Sequence, residues 1–193
     1  KTPTWDKPLQ QILQQGKRMS LLINDLLVLS KLETTEAGRN QKELDLAPLL
    51  ISIKNEAEAL GNDKQQTIRL QCDEPISILA NEKEIHSAFS NLAINAVKYT
   101  PEHGVIDLHL WKNENHIYFS VTDNGPGIDS KHLPRLTERF YRVDASRNSA
   151  TGGTGLGLAI VKHVLLRHDG ELKITSELGK GSTFTCVLPL HTY

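Results

Sequence analysis

The chain has 193 residues, with 22 Lys and Arg against 23 Asp and Glu, so its formal net charge is −1. This length suffices for one domain with an appendage, and the near-neutral charge disfavours nucleic acid or an anionic membrane surface as a partner. No stretch approaches the ~18 apolar residues of a membrane span, and no signal peptide is visible. Because the chain opens with Lys1 rather than Met, it is expected to be a fragment of a longer protein, in which a membrane anchor could lie upstream. The expected location of the fragment is cytoplasmic.

The first predicted element is a long amphipathic helix over residues 8–33. Ile12, Met19 and Leu26 repeat every seven residues, a spacing typical of paired helices. A parallel row contains Gln15, Leu22 and Leu29, and further apolar residues widen the stripe to the face that a four-helix bundle uses. The alternative is a helix packed on its own domain. The polar stretch that follows, residues 34–42, indicates a linker.

The rest of the chain predicts a mixture of helices and strands. Asp45 and Asn81 are candidate N-caps, the latter with Glu84 in a capping-box position. The predicted helices cover residues 45–60, 81–98 and 156–167, and the predicted strands cover 67–72, 76–80, 105–111, 117–123, 171–176 and 182–188. The central two strands and the last two each form a hairpin. This order predicts an α+β fold, an α/β sandwich with helices on one face of a mixed sheet.

The two cysteines, Cys72 and Cys186, have no metal-ligand spacing and form no CxxC pair. They are expected to be buried free thiols rather than a disulfide. That usage fits a reducing compartment.

The helix over 81–98 carries a polar strip. At ~100° per residue, Asn91, Asn95 and Lys98 fall within about 60° of arc. An amide oxygen is a ligand suited to Mg²⁺, and a lysine one turn further on can meet phosphate charge. Alone the pattern is weak, because Asn and Lys on helices mostly belong to the solvated surface.

Two glycine motifs follow. Asp123 ends a strand before Gly125 and Gly127. Its carboxylate could accept from the amine of adenine while Gly127 lets the backbone approach the ring, but taken alone this composition favours a plain turn. Four glycines within residues 152–157 then open an apolar helix, which favours phosphate binding. This motif lacks the Gly-Lys-Ser/Thr of a Walker loop, and no strand precedes it as in a dinucleotide fingerprint.

The long stretch between the glycine motifs has little core pattern. Such a loop flanked by glycines predicts a lid. Its Arg139, Arg142 and Arg147 can close onto phosphates, or they are solvated surface charges.

In this order and spacing, the motifs resemble the boxes of the sensor histidine kinases of two-component systems. The N box is at residues 91–101, the G1 box at 123–127, the F box at 139–144 and the G2 box at 153–161, and 179–184 resembles the last conserved turn. The resemblance covers about residues 44–190. The wider resemblance is to the Bergerat (GHKL) ATP-binding fold of gyrase B, Hsp90 and MutL. Residues 135–144 are most similar to the phosphate-regulon group of these kinases.

The resemblance implies a histidine protein kinase that transfers the γ-phosphate of ATP to a histidine, for relay to a response regulator aspartate. It implies ATP and Mg²⁺ as ligands, with Asn95 on the metal and Asn91, Lys98 and Arg142 as catalytic residues at the phosphates. The other implied nucleotide-binding residues are Tyr99, Asp123, Gly125, Gly127, Ile128, Gly153, Thr154, Gly155, Leu156, Gly157 and Thr183. Among these, Asp123 would read the adenine amine and Thr183 would assist through its hydroxyl.

The resemblance also divides the chain into domains. Residues 1–33 are expected to belong to a dimerisation and phosphotransfer hairpin, 34–43 to a linker and 44–193 to the catalytic ATP-binding domain. The expected partners are a response regulator and, through the hairpin, a second copy of the full-length protein, with no direct nucleic acid contact and membrane attachment only through segments outside this sequence.

The box of the phosphoacceptor histidine is missing, since none of the eight histidines lies in its context and residues 1–6 resemble the loop between the hairpin helices. The fragment is therefore expected to bind ATP and Mg²⁺ without autophosphorylating, and phosphorylation of a supplied hairpin stays open.

Two other functions remain as alternatives. One is a GHKL ATPase, but those enzymes place a glutamate general base where this chain has Asn91, and fast hydrolysis is not expected without that base. The other is a nucleotide-binding docking module without turnover. The intact Asn95, Asp123 and glycine-rich loop argue against such degeneracy.

Overall fold

A computed structural model describes residues 6–34, 40–143 and 153–190 of the chain. Four helices are present in these ranges: α1 (Asp6–Thr34), α2 (Leu46–Gly61), α3 (Glu82–Tyr99) and α4 (Gly157–Arg167). The strands are β1 (Lys42–Asp45), β2 (Thr67–Cys72), β3 (Ser77–Ala80), β4 (Val105–Lys112), β5 (His116–Asp123), β6 (Glu171–Glu177) and β7 (Gly181–Pro189). The predictions made for residues 1–5, most of the linker, Asp144, Arg147 and Gly152 lie outside the described residues.

The main sheet has five strands in the order β2-β4-β5-β7-β6. β2 runs parallel to β4, and the other pairs are antiparallel, including both predicted hairpins. Alternate residues of β4 such as Ile106 and Leu108 are buried under the helices, because successive side chains of a strand point to opposite faces. Phe89 of α3 stacks on Phe119 of β5 with ring centroids 4.2 Å apart. The predicted fold, helices on one face of a mixed sheet, is confirmed.

A second, two-stranded sheet was not predicted. β1 pairs antiparallel with β3, from Lys42 opposite Ala80 to Asp45 opposite Ser77. The sequence pattern predicts no strand at 42–45 and places β2 and β3 on either side of a turn, whereas the two strands lie in different sheets. Glu43 and Asp45 have low β propensity, so this strand depends on its partner rather than on its own residues.

Helix α1 has two apolar faces with different environments. Leu29 and Leu32 are buried against the domain and Leu22 is partly buried, as α1 packs on α4. Ile12, Met19 and Leu26 are exposed. Of the two heptad rows, one therefore packs on the chain's own domain, as the alternative interpretation has it, and the other leaves an apolar surface.

Both predicted N-caps are confirmed. The Asp45 side chain accepts from the N–H of Ala47, and the Asn81 side chain accepts from the N–H groups of Lys83 and Glu84. At the other end of α3, Lys64 donates from Nζ to the carbonyls of Val97 and Lys98, both at 2.8 Å, and to that of Thr100 at 3.1 Å. A cation at these free carbonyls stabilises the helix end.

Both cysteine thiols are free, as predicted. Cys186 is buried, and that burial raises the pKa of its thiol. Cys72 is exposed, so the expectation of burial is wrong for this residue, which lies at the end of the edge strand β2.

Within the described residues, no helix is long and apolar enough to cross a membrane.

Candidate nucleotide-binding site

Helix α3 carries Asn91, Asn95 and Lys98 as half-buried residues along one side. The Nδ2 of Asn91 donates to the carbonyl of Ser87 at 2.8 Å. Its Oδ1 faces the start of α4, where a Cβ added to Gly157 would lie 2.6 Å from that oxygen. Glycine at the first position of α4 therefore lets the α4 N-terminus approach the amide strip of α3.

The ammonium of Lys98 is desolvated. Burial is the main cause that lowers the pKa of Lys98; the negative charge of Asp25 opposes this shift, and the positive charge of Arg142 adds to it. A cation with little water around it and another cation nearby gains free energy from a bound anion. This end of α3 therefore suits a phosphate group.

Asp123 ends β5 with its side chain buried; the residue is 8% exposed. Its Oδ1 accepts from the N–H of Gly125 at 2.8 Å. Burial raises the pKa of the Asp123 carboxyl, while hydrogen bonds from the backbone of Gly125 and Ser182 act in the opposite direction. A carboxylate has about four acceptor positions, so this group is fixed in orientation and can still accept from a ligand N–H.

The glycines after Asp123 are required by contacts inside the protein. A Cβ on Gly125 would lie 2.7 Å from Asp123 Oδ1 and 3.2 Å from the carbonyl oxygen of Tyr99. Gly127 has φ +67°, and a Cβ there would lie 2.0 Å from the carbonyl oxygen of Glu177. The loop thus packs between the end of α3 and the β6–β7 turn, where the N–H of Ile128 donates to Ser176 Oγ at 2.8 Å.

The predicted role of Thr183 does not fit the strand register. Thr183 lies opposite Thr122, with their Oγ1 atoms 3.0 Å apart, whereas Asp123 lies opposite Ser182. Because adjacent residues of a strand point to opposite faces, Thr183 lies on the sheet face away from the Asp123 carboxylate. Ser182 is the hydroxyl residue on the correct face, and its pairing with Asp123 across β5 and β7 is the signal that the prediction missed.

The described part of the lid contacts the second glycine motif. Arg142 donates from Nη1 to the carbonyl of Gly153 at 2.7 Å. A Cβ on Gly153 would lie 4.0 Å from both Arg142 Cζ and the hydroxyl of the half-exposed Tyr99. Gly155 has φ +76° and its carbonyl accepts from the N–H of Phe140 at 2.9 Å.

Two residues of the second glycine motif have partners that the sequence did not predict. Thr154 donates from Oγ1 to Asp25 Oδ2 at 2.6 Å and accepts the N–H of Leu156 at 3.2 Å. The Leu156 side chain is fully buried in the core, so this residue can face a nucleotide only through its backbone. The sequence also did not predict Asp25 as a site residue, although it lies four residues before Leu29 on the face of α1 that packs against α4.

Several predicted residues are thus close together. Lys98, Tyr99, Arg142 and Gly153 form one group at the end of α3, and Asn91 and Gly157 form a second at the start of α4. Gly125, whose N–H donates to Asp123, lies beside the backbone of residues 99–100. In the part of the chain that the structure describes, no three His, Cys, Asp or Glu side chains are grouped as a metal site.

Comparison with known proteins identifies the family. Residues 80–192 match the family model described as histidine kinase-, DNA gyrase B-, and HSP90-like ATPase. The phosphate regulon sensor protein PhoR of Pseudomonas aeruginosa is 54% identical over 184 residues, which cover 95% of this chain and 42% of that protein. PhoR of Haemophilus influenzae is 39% identical over 187 residues, covering 97% of this chain and 44% of that protein.

Solved structures agree with these matches. Full-length ShkA, crystallised in complex with AMPPNP, is 28% identical with a TM-score of 0.83, covering 100% of this chain and 40% of that one. The mycobacterial sensor histidine kinase MprB is 26% identical with a TM-score of 0.68, covering 77% of this chain and 97% of that one.

The chain spans about two fifths of the length of the curated relatives that it matches, 42% and 44% in the two cases above. The family match covers the amide strip of α3, both glycine motifs and the last hairpin. The chain belongs to the histidine kinase-, DNA gyrase B- and HSP90-like ATPase family: it carries the ATP-binding catalytic domain, and its relatives in this family are sensor histidine kinases, phosphate regulon sensor proteins among them.

Proposed function

We propose that this chain binds ATP with Mg²⁺ and transfers the γ-phosphate to a histidine on a helical hairpin, for relay to an aspartate of a response regulator. One observation carries the proposal. The partly buried cation Lys98 lies near the C-terminal end of α3, and the loop that holds the buried carboxylate of Asp123 packs against the same helix end. A cationic end and a buried acceptor are the two features that a nucleotide with a phosphate chain and an adenine amine requires.

The base end of the site is assigned to the Asp123 loop. The carboxylate of Asp123 is oriented by Gly125 N–H and keeps acceptor capacity for an exocyclic amine. Gly127 and Ile128 belong to the same loop and are assigned to the base through their backbone. The assisting hydroxyl is assigned to Ser182, which lies opposite Asp123, in place of Thr183. The burial of Asp123 strengthens a hydrogen bond made there and also makes an unfilled acceptor costly.

The phosphate end is assigned to three groups of donors. Lys98 and Arg142 supply cationic charge, and the backbone of Gly153, Thr154, Gly155 and Gly157 leads into the N-terminus of α4. Free N–H groups and the helix dipole favour anions at such a terminus. Tyr99, whose hydroxyl lies near Gly153, is proposed to flank the nucleotide.

The residues present fit a magnesium ion held jointly by protein and substrate. Asn95 is proposed as the amide ligand, with Asn91 beside it. Among the described residues, no three His, Cys, Asp or Glu side chains are grouped to hold a metal ion. The ligands of the magnesium ion are therefore proposed to be an amide oxygen and phosphate oxygens. When bound, the ion neutralises phosphate charge that develops during transfer.

The ATPase alternative is disfavoured by the residue at position 91. Asn91 is an amide whose Nδ2 is bound to the carbonyl of Ser87, so it has no carboxylate to take a proton from water. Without a general base at this position, an acceptor brought by a partner is the better recipient of the phosphoryl group. The docking-module alternative predicts no turnover at all.

The exposed row of α1 supports the proposed dimer. Ile12, Met19 and Leu26 leave an apolar stripe at heptad spacing, the surface that a helical hairpin pairs. We assign residues 1–33 to this hairpin and the catalytic domain to the residues after the linker. Since β1 pairs with β3, the catalytic unit begins at Lys42, slightly before the predicted boundary at 44. The chain would be the cytoplasmic portion of an inner-membrane sensor.

A transfer assay tests the proposal. The chain is incubated with γ-labelled ATP, Mg²⁺ and a separately supplied hairpin that carries a phosphoacceptor histidine. Acid-labile label is expected on the hairpin, strongly reduced by Asn95→Ala and unchanged by Asn55→Ala, an exposed asparagine on α2. Labelling that needs no Asn95, or release of free phosphate in its place, would contradict the proposal.

A further inference from the structure

The face of α1 that packs on α4, called the docking face below, includes the partly buried acidic residue Asp25. Arg18, Leu22, Asp25, Leu29 and Leu32 are spaced by three or four residues and are all at least partly buried, whereas their neighbours Asn24 and Leu26 are exposed. This spacing places the five side chains on one stripe of the helix. Asp25 is therefore held against the catalytic domain together with Leu29 and Leu32.

The carboxylate of Asp25 contacts Thr154, one of the residues to which we assign the phosphates, and its charge acts on a second, Lys98. Its Oδ2 accepts from Thr154 Oγ1 at 2.6 Å, at the glycine-rich loop that leads into α4. Its charge acts on the Lys98 ammonium, on which Arg142 acts with the opposite sign. The Thr154 hydroxyl and the nearby Lys98 ammonium give this carboxylate the kind of environment that a phosphate oxygen also takes.

A second anchor holds α1 eight residues further on. Glu33 forms an ion pair with Arg139 and lies 3.6 Å from His163 Nε2. Arg167 donates from Nη1 to the carbonyl of Leu32 at 3.0 Å. These contacts fix the end of α1 on α4 and the lid, and none of them is made by Lys98 or Thr154.

We propose that Asp25 competes with the nucleotide phosphates, so that docking of α1 on α4 and binding of ATP oppose each other. The inference rests on the proposed function, because it takes Lys98, Arg142 and Thr154 as phosphate ligands. Two anions cannot both occupy the same place beside Lys98 and Thr154, so ATP is penalised most, ADP less and adenosine not at all. By linkage, bound ATP weakens α1 docking by the same factor.

The first test compares nucleotide affinities of the wild-type chain and Asp25→Asn. Asparagine keeps the shape and can still accept from Thr154, so the substitution removes mainly the charge. We expect ATP to bind about tenfold more tightly to this variant, ADP about threefold more tightly and adenosine unchanged. Asp107→Asn, a half-exposed aspartate on the other sheet face, is the matched control and should leave all three affinities unchanged. An Asp25→Asn variant with unaltered or weaker ATP binding overturns the inference.

Glu33→Gln tests the coupling separately from the charge at the site. This variant loosens the second anchor without changing any group near Lys98, so ATP affinity should rise by a smaller factor while adenosine affinity stays constant. An unchanged ATP affinity would show that docking and binding are independent and would overturn the inference.

Hydrogen exchange gives a readout on α1 itself. Saturating ATP should speed exchange of the amides of residues 25–33 in the wild-type chain and have little effect in Asp25→Asn. Slower or unchanged exchange with ATP in the wild type overturns the antagonism. If the wild type binds neither ATP nor adenosine, the proposed function fails and the inference with it; if it binds ATP and Asp25→Asn changes nothing, the inference alone fails.

Discussion

Substitution of Glu84 by glutamine should destabilise the domain strongly, because this carboxylate is the anion of a largely buried ion cluster. Glu84 at the start of α3 accepts from Arg167 Nε at 3.1 Å and Nη2 at 3.0 Å, and lies 3.2 Å from His168 Nε2. The side chains of Glu84 and Arg167 are 17% and 10% exposed. The pair thus links the N-terminus of α3 to the C-terminus of α4 by a two-bond contact of the stronger kind.

The expected loss follows from the charge that remains. Glu84→Gln removes the charged acceptor of two Arg167 hydrogen bonds, and removing one partner of a fully buried pair costs about 3–5 kcal/mol. Because both side chains here keep some exposure, we expect about 2–4 kcal/mol of unfolding free energy to be lost. For a chain of this size that corresponds to a fall in Tm of roughly 5–15 °C.

Urea denaturation measures this loss as a lower midpoint at an unchanged slope. The matched control is Glu58→Gln, which breaks an exposed pair between Glu58 and Lys54 within α2 and should change stability by less than about 1 kcal/mol. Combining Glu84→Gln with Arg167→Met should recover part of the loss, since it also removes the buried positive charge that Glu84 balances in the wild type. A Glu84→Gln variant that loses no more stability than Glu58→Gln would refute the reasoning.

Three further predictions concern pH and glycine geometry. Burial lowers the pKa of His168, although the charge of Glu84 opposes this shift, so the unfolded chain binds the His168 proton more readily than the folded chain. The free energy of unfolding should therefore fall as the pH drops below about 6.5. His168→Gln should make the urea midpoint less dependent on pH in that range. The pKa of Lys98 is lowered as well, so as pH rises its positive charge should be lost, and ATP affinity should begin to fall, at a pH below the ordinary lysine pKa of about 10.4. In calorimetric titrations, Lys98→Arg should make ATP affinity less dependent on pH in this range. Gly127→Ala should lower the free energy of unfolding by at least about 2 kcal/mol in thermal unfolding, since the added Cβ would clash with a backbone carbonyl. Gly179→Ala is also at positive φ, but its Cβ would have nothing within 4 Å, so it should lose only about 1 kcal/mol. Equal losses in the two variants would contradict this reasoning.

The sequence predicted those parts of the fold that are determined locally. The alternation in β4 and β5 follows from burial of one sheet face, and Asn81 and Asp45 begin helices through hydrogen bonds to N–H groups two or three residues away. Strand β1 was missed because its stability comes from pairing with β3, some 35 residues away, and not from the propensities of Glu43 or Asp45.

The candidate site was predicted in the same uneven way. The residue types at 91, 95, 98 and 123 indicate nucleotide chemistry by themselves, whereas the choice between Ser182 and Thr183 depends on a strand register that a motif does not contain. The contact between Asp25 and Thr154 joins residues 129 positions apart and arises from the docking of α1. Long-range contacts of this kind cannot be obtained from periodicity.

The most direct test of the central claim is calorimetric titration of ATP with Mg²⁺ into the wild-type chain, Asp123→Asn and the control Asp107→Asn. We predict micromolar binding by the wild type and the control, and binding about 10- to 100-fold weaker by Asp123→Asn. The single amide oxygen of asparagine is taken by the Gly125 N–H, and its NH₂ group cannot accept from the ligand amine. Equal affinity of Asp123→Asn and the wild type, or no binding by any of the three, would contradict the assignment of this domain's nucleotide site.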